Sequence, residues 1–172
     1  METSSSKFFL ALLILSTGVW LYSASMKNLE SGLLLKFGTT EFIDNLDPSV
    51  EREAYRAMAS YALVVFISYP VTILTAIGYM STTRRTVRQD GWLLMSAILL
   101  FSFIPVEVYC FWLDWKIIGL NYWGSWPLEE FLKAFLHRMT ALAGLPFIAH
   151  LCYCTIPAII FLKPFKKNSV SR

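Results

Sequence analysis

Four long apolar stretches, residues 8–25, 58–80, 92–113 and 139–162, set the terms for anything this chain can fold into. Crossing a hydrocarbon core takes about 20 residues of α-helix. A backbone in lipid must also satisfy its own N–H and C=O groups, which an α-helix does within a single segment. The expected fold class is therefore an all-α membrane protein, a four-transmembrane-helix bundle. Composition agrees, with 56% hydrophobic residues and a mean hydropathy of +0.53, against about 45–50% apolar residues in soluble domains. Four spans use about half of the length and leave room for one membrane domain over residues 1–172.

The links between the stretches differ in charge. Lys7 precedes the first, Arg84, Arg85 and Arg88 fill the short link 81–91, and Lys163, Lys166, Lys167 and Arg172 follow the fourth. If every stretch crosses, these basic segments share one side, which the excess of Lys and Arg marks as cytoplasmic. Both termini are expected there. The opposite side receives the longer loops 26–57 and 114–138, the first carrying Glu30, Glu41, Asp44, Asp47, Glu51 and Glu53. This membrane pattern explains the net charge of +3 without nucleic acid as a partner.

Asp47-Pro48 has the form of a helix start, with a capping acceptor followed by proline at the first helical position. A helix from 48 to 80 would be about 50 Å long, so the second helix is expected to project beyond a bilayer core of about 30 Å. After Pro127, the residues Leu128, Phe131, Leu132, Phe135, Leu136 and Met139 repeat at helical spacing, with Glu129, Glu130 and Lys133 on the other side. An amphipathic extracytoplasmic helix before the fourth span follows, turning into it near Gly144, Leu145 and Pro146. Two placements fit it, flat on the outer leaflet or packed on the outer ends of the bundle.

Trp20, Trp112, Trp115, Trp123 and Trp126 map to the expected outer interface and Trp92 to the inner one. Tryptophan favours that boundary, and Trp112, Trp115, Trp123 and Trp126 are read as interface anchors. A partner-binding tip over residues 121–127 is the competing reading. The first stretch also resembles a signal peptide, with Lys7, an apolar run and then Ser23, Ala24 and Ser25. A retained span is the expectation; cleavage would leave three spans and an exported N-terminus.

The candidate ligand-binding residues are Glu107, His150, Tyr69 and Tyr109. Glu107 is the acid inside a span, where an ionisable group is costly and points to function by default. Its bland alternative is a shallow position shared with Asp114, one heptad later on the same face. His150, near mid-depth of the fourth span, suits a hydrogen bond to a neighbouring helix. Contact between Glu107 and His150 requires the third and fourth spans to pack antiparallel. Pro70, Pro105 and Pro146 interrupt three spans at similar depth, and their kinks would open an outward-facing cavity lined by Tyr69, Glu107, Tyr109 and His150. The competing reading is that proline is common in membrane helices.

No cofactor and no metal is expected. His137 and His150 fall about 140° apart on one helix, and no other span carries a histidine, so a bis-histidine haem within this chain is excluded. A haem shared with another subunit stays open. Cys110, Cys152 and Cys154 lie within spans, without a Cys-x-x-Cys pair, so neither a metal centre nor thiol–disulfide exchange is indicated. Phosphate-loop, His-Glu-x-x-His, Gly-x-Ser-x-Gly and Gly-x-x-x-Gly patterns are also missing. The leading expectation is a non-catalytic membrane subunit or assembly component, with lipids and other integral membrane proteins as partners. Two alternatives stand beside it. One is a protein that binds or transports a lipid, quinone or small substrate around Glu107. The other is an auxiliary redox subunit that contributes a haem or quinone contact through His150.

Overall fold

The computed structural model describes residues 3–36, 41–43, 46–83, 90–124 and 127–163. Among these the chain is helical, apart from turns, caps and short bridges, one of them between Leu35 and Phe42. The elements are α1 (Ser4–Gly32), α2 (Pro48–Thr82), α3 (Gly91–Ser102), α4 (Ile104–Tyr122), α5 (Leu128–Thr140), a 3-10 turn (Ala141–Gly144) and α6 (Leu145–Leu162). Four helical segments are long and apolar enough to cross a membrane: Ser4–Gly32, Pro48–Thr82, Gly91–Tyr122 and Ala141–Leu162.

Local chemistry explains the helix boundaries. Thr3 caps α1 by accepting from the Ser6 N–H at 3.2 Å. Asp47 caps α2 by accepting from the Ser49 N–H at 2.8 Å, with Pro48 in the first turn. At 35 residues, α2 is about 52 Å long. Pro105 has no N–H to continue the ladder, and the third apolar stretch breaks at Phe103 into α3 and α4. At the α5–α6 junction Leu142, Ala143 and Gly144 all have positive φ, at 51°, 51° and 82°. Only glycine adopts that conformation without penalty.

Two helices run past their apolar stretches. α1 continues to Gly32 and α4 to Tyr122, so residues expected at the start of each outer loop are helical. α1 and α2 pair closely. Gly78 permits this, since a Cβ there would fall 2.6 Å from the Phe9 ring. At the end where α1 begins, Thr3 donates to the Thr82 carbonyl at 3.4 Å, and Tyr79, Trp92 and Leu93 pack with Phe9 and Leu13.

The middle layer is aromatic, with Trp20 against Tyr69 and Tyr153 at centroid distances of 4.9 and 4.6 Å. At the far end Tyr55, Met58, Ile117, Phe131 and Phe135 form a third layer. The apolar face of α5 thus packs on the ends of α1, α2 and α4, while Glu129, Glu130 and Lys133 face outward. Between the middle and far layers lies a set of charged side chains.

Two of the tryptophans are packed inside the protein: Trp20 is 2% exposed and Trp92, in the first turn of α3, 5% exposed. For Trp20 the reason is the length of α1, which puts this position in mid-helix, facing α2 and α6. Trp112, Trp115 and Trp123 are exposed along α4 and its end. Trp126, the basic link residues Arg84, Arg85 and Arg88, and the tail residues Lys166, Lys167 and Arg172 lie outside the described residues, as does Asp44.

Candidate functional site

Lys27, Asp114 and Arg138 converge from α1, α4 and α5. Asp114 is 2% exposed and accepts from both cations, with Lys27 Nζ at 2.5 Å from Oδ2 and Arg138 Nε at 3.0 Å from Oδ1. Each member is placed by helical periodicity. Trp20, Ala24, Lys27 and Ser31 share the buried face of α1, Cys110, Asp114 and Ile117 that of α4, and Phe131, Phe135 and Arg138 that of α5. Buried charges persist only where partners and hydrogen bonds compensate their lost hydration, and here one carboxylate is hydrogen-bonded to both cations.

Arg138 belongs to α5, outside the membrane-crossing segments. Burial works against its positive charge, but the Asp114 carboxylate prevails and raises its pKa further above the ordinary arginine range. Behind the triad a void of about 20 Å³ touches Asn28, Ser31, Met58 and Phe135, room for about one water.

On the other side of Lys27 and Arg138 opens a cavity of about 210 Å³. Glu107 and His150 complete its polar wall, and Gly32, Leu35, Gly144 and Phe147 border it between the end of α1 and the start of α6. Lys27, Arg138 and Asp114 all act electrostatically on Glu107. Among the described residues no group donates a hydrogen bond to its carboxylate. His150 Nε2 lies 3.1 Å from Ser25 Oγ, an interhelical hydrogen bond, and 3.8 Å from Cys154 Sγ.

Of the four expected site residues, the cavity unites Glu107 and His150. Tyr69 sits in the aromatic layer, 3% exposed, with its hydroxyl 3.4 Å from that of Tyr153. Tyr109 meets His137 Nε2 at 3.4 Å. Neither tyrosine lines the cavity. Pro146 lies on its wall, whereas Pro70 is inside α2 and Pro105 at the start of α4.

Sequence reasoning missed Lys27 and Arg138 because both fall at the margins of the expected outer loops. A signal was present: Lys27 continues the α1 face of Trp20 and Ala24, and Arg138 follows Phe131 and Phe135 at helical spacing. Among the described residues no three His, Cys, Asp or Glu side chains gather as a metal-binding group.

The fold and its charged interior define a protein that is helical over the described residues, with four helices suited to a membrane and, among them, a cavity walled by both apolar and charged side chains. Comparison with known protein families, characterised proteins and solved structures finds no match to this chain.

Proposed function

We propose that this is a multi-pass membrane protein that binds a small amphipathic molecule, with the ligand's polar group in the cavity bounded by Lys27, Glu107, Arg138 and His150. The observation that carries this reading is Glu107, a carboxylate on the cavity wall with no hydrogen-bond donor among the described residues. Ionisable groups at membrane depth are costly and mark ligand or ion sites by default. The cavity is smaller than the roughly 300–1,000 Å³ of pockets that enclose a whole drug-sized ligand, so it suits a head group whose apolar part stays in lipid.

Charge asymmetry supports a topology with both termini cytoplasmic and the cavity in the extracytoplasmic half. The competing reading, a non-catalytic complex subunit, rests on outward apolar residues such as Phe147, Ile148 and Leu151, which lipid covers equally well. Haem ligation through His150 Nε2 would require its bond to Ser25 to break.

Native mass spectrometry of the detergent-solubilised protein tests the proposal. Retained small molecules that disappear in Glu107→Gln, with the fold intact, support it. Identical retention in that variant overturns it, and a stoichiometric protein partner with an empty cavity would favour the subunit reading.

A further inference from the structure

The cavity's charges also specify its ligand, and we infer that it takes a zwitterionic head group, a phosphate diester bearing a primary ammonium, carried on a membrane lipid. This rests on the ligand-binding reading above. Lys27 and Arg138 contribute two formal positive charges, and Glu107 and Asp114 two negative ones, so the site is formally neutral before anything enters. A ligand with net charge would leave one charge uncompensated among partly buried groups. A zwitterion leaves the balance unchanged.

The hydrogen-bonding inventory points the same way. Lys27 and Arg138 each spend one donor on Asp114, and their remaining N–H groups have no acceptor among the described residues. Guanidinium and ammonium groups in this state suit phosphate oxygens. Glu107 offers acceptors only, if ionised, and lacks a donor; a primary ammonium supplies up to three. A quaternary ammonium has no N–H to give, and a glycerol head group has no positive charge. Phosphoethanolamine chemistry satisfies both ends.

A lipid also fits the way in. The cavity is bordered by Gly32 at the end of α1, by Leu35 just beyond it and by Phe147 of α6, which is 61% exposed. α1 and α6 meet at Trp20–Tyr153 and Ser25–His150, and the gap between them opens beyond these contacts, at Gly32, Leu35 and Phe147. Acyl chains would leave through this gap and lie against Phe147 and the outer face of α6, while the head group stays inside.

The test is a competition with purified full-length protein in mild detergent, offered equimolar dioleoyl-phosphatidylethanolamine, -phosphatidylglycerol and -phosphatidylcholine, with retained lipid read by native mass spectrometry. Wild type should retain the ethanolamine lipid about tenfold over each of the others, one decade in affinity. In Glu107→Gln the site gains one net positive charge, and preference should move to phosphatidylglycerol. If that variant does not fold, Glu107→Asp keeps the charge with a shorter reach. It should weaken ethanolamine-lipid retention without favouring phosphatidylglycerol. Equal retention of the three lipids by wild type, or unchanged preference in Glu107→Gln, overturns the inference.

Soluble O-phosphoethanolamine at millimolar concentration should fail to displace the lipid. Displacement would assign the site to a free zwitterion and refute lipid entry. If wild type retains phosphatidylglycerol or phosphatidylcholine instead, this inference fails and the ligand-binding reading survives. If it retains no lipid and no co-purified small molecule, the ligand-binding reading itself fails.

Discussion

Removing the charge of Asp114 should destabilise the bundle more than its small change in volume suggests. Asp114→Asn takes away the counter-ion of both Lys27 and Arg138 and leaves a formal excess of one positive charge with Glu107 as the remaining acid. Breaking a buried ion pair from one side costs about 3–5 kcal/mol, because the partner stays buried and uncompensated. That is about a hundredfold or more in the folding equilibrium.

If charge balance is the reason, a second substitution should repair part of the damage. Lys27→Met with Asp114→Asn leaves Arg138 and Glu107 formally balanced. Coupling between residues in one such network is about 0.5–3 kcal/mol. The double variant should therefore lose less than the summed losses of its two singles, by an amount in that range. Unfolding in mixed micelles by titration with sodium dodecyl sulfate, followed by circular dichroism, measures all four corners of the cycle. An Asp114→Asn variant within about 1 kcal/mol of wild type would show that these charges are not buried against one another. A double variant as unstable as the sum of its singles would show that neutrality does not govern the site.

Trp20→Ala should cost about 3–5 kcal/mol in the same assay, since Trp20 fills the aromatic layer, while Trp112→Ala, 55% exposed, should shift stability by about 0.5 kcal/mol or less; equal losses would refute the core placement of Trp20. Ala143→Gly should stabilise by up to about 1–2 kcal/mol, because Ala143 sits at positive φ where glycine carries no penalty; a loss typical of a helix interior would refute that backbone. The Ser49 hydroxyl and N–H hold the Asp47 carboxyl below its ordinary pKa of 3.8. Its capping contribution relative to Asp47→Asn should therefore be complete above that value and fade as pH falls through the depressed one, visible as converging midpoints of the two proteins in acid. A membrane-impermeant thiol reagent applied to intact cells should label a cysteine placed at Ile43 or Gly124, and spare one at Thr3 or Lys163, in a background without native cysteines; the reverse pattern would invert the proposed topology.

Much of the fold was legible because its determinants are local. The four apolar stretches marked the four long helical segments. Asp47 and Pro48 announced the start of α2 to the residue, because a cap and a first-turn proline act within one turn. The apolar spacing after Pro127 announced α5, although only the tertiary structure turns Phe131 and Phe135 onto the bundle ends. The break at Phe103 was half legible. Pro105 signalled a disturbed ladder, but not that the third segment would divide into two helices.

The site was less legible than the fold. Glu107 and His150 drew notice as polar residues in apolar surroundings, and the cavity contains both. Tyr69 and Tyr109 were grouped with them by depth alone. Depth does not give the direction of a side chain around its helix axis, and their partners are Tyr153 and His137 instead.

The sequence by itself determined that this chain is helical, that four segments suit a membrane, and where the charges concentrate along it. Hydropathy, capping and periodicity are properties of neighbouring residues and act before any helix meets another. Only the tertiary structure decided that Lys27, Asp114 and Arg138, which sit at the margins of expected loops, form one buried network. Their separations of 87 and 24 residues are closed by helix packing. A charge is stable in such a place only when opposite charges arrive from other helices, and no local pattern records that arrival.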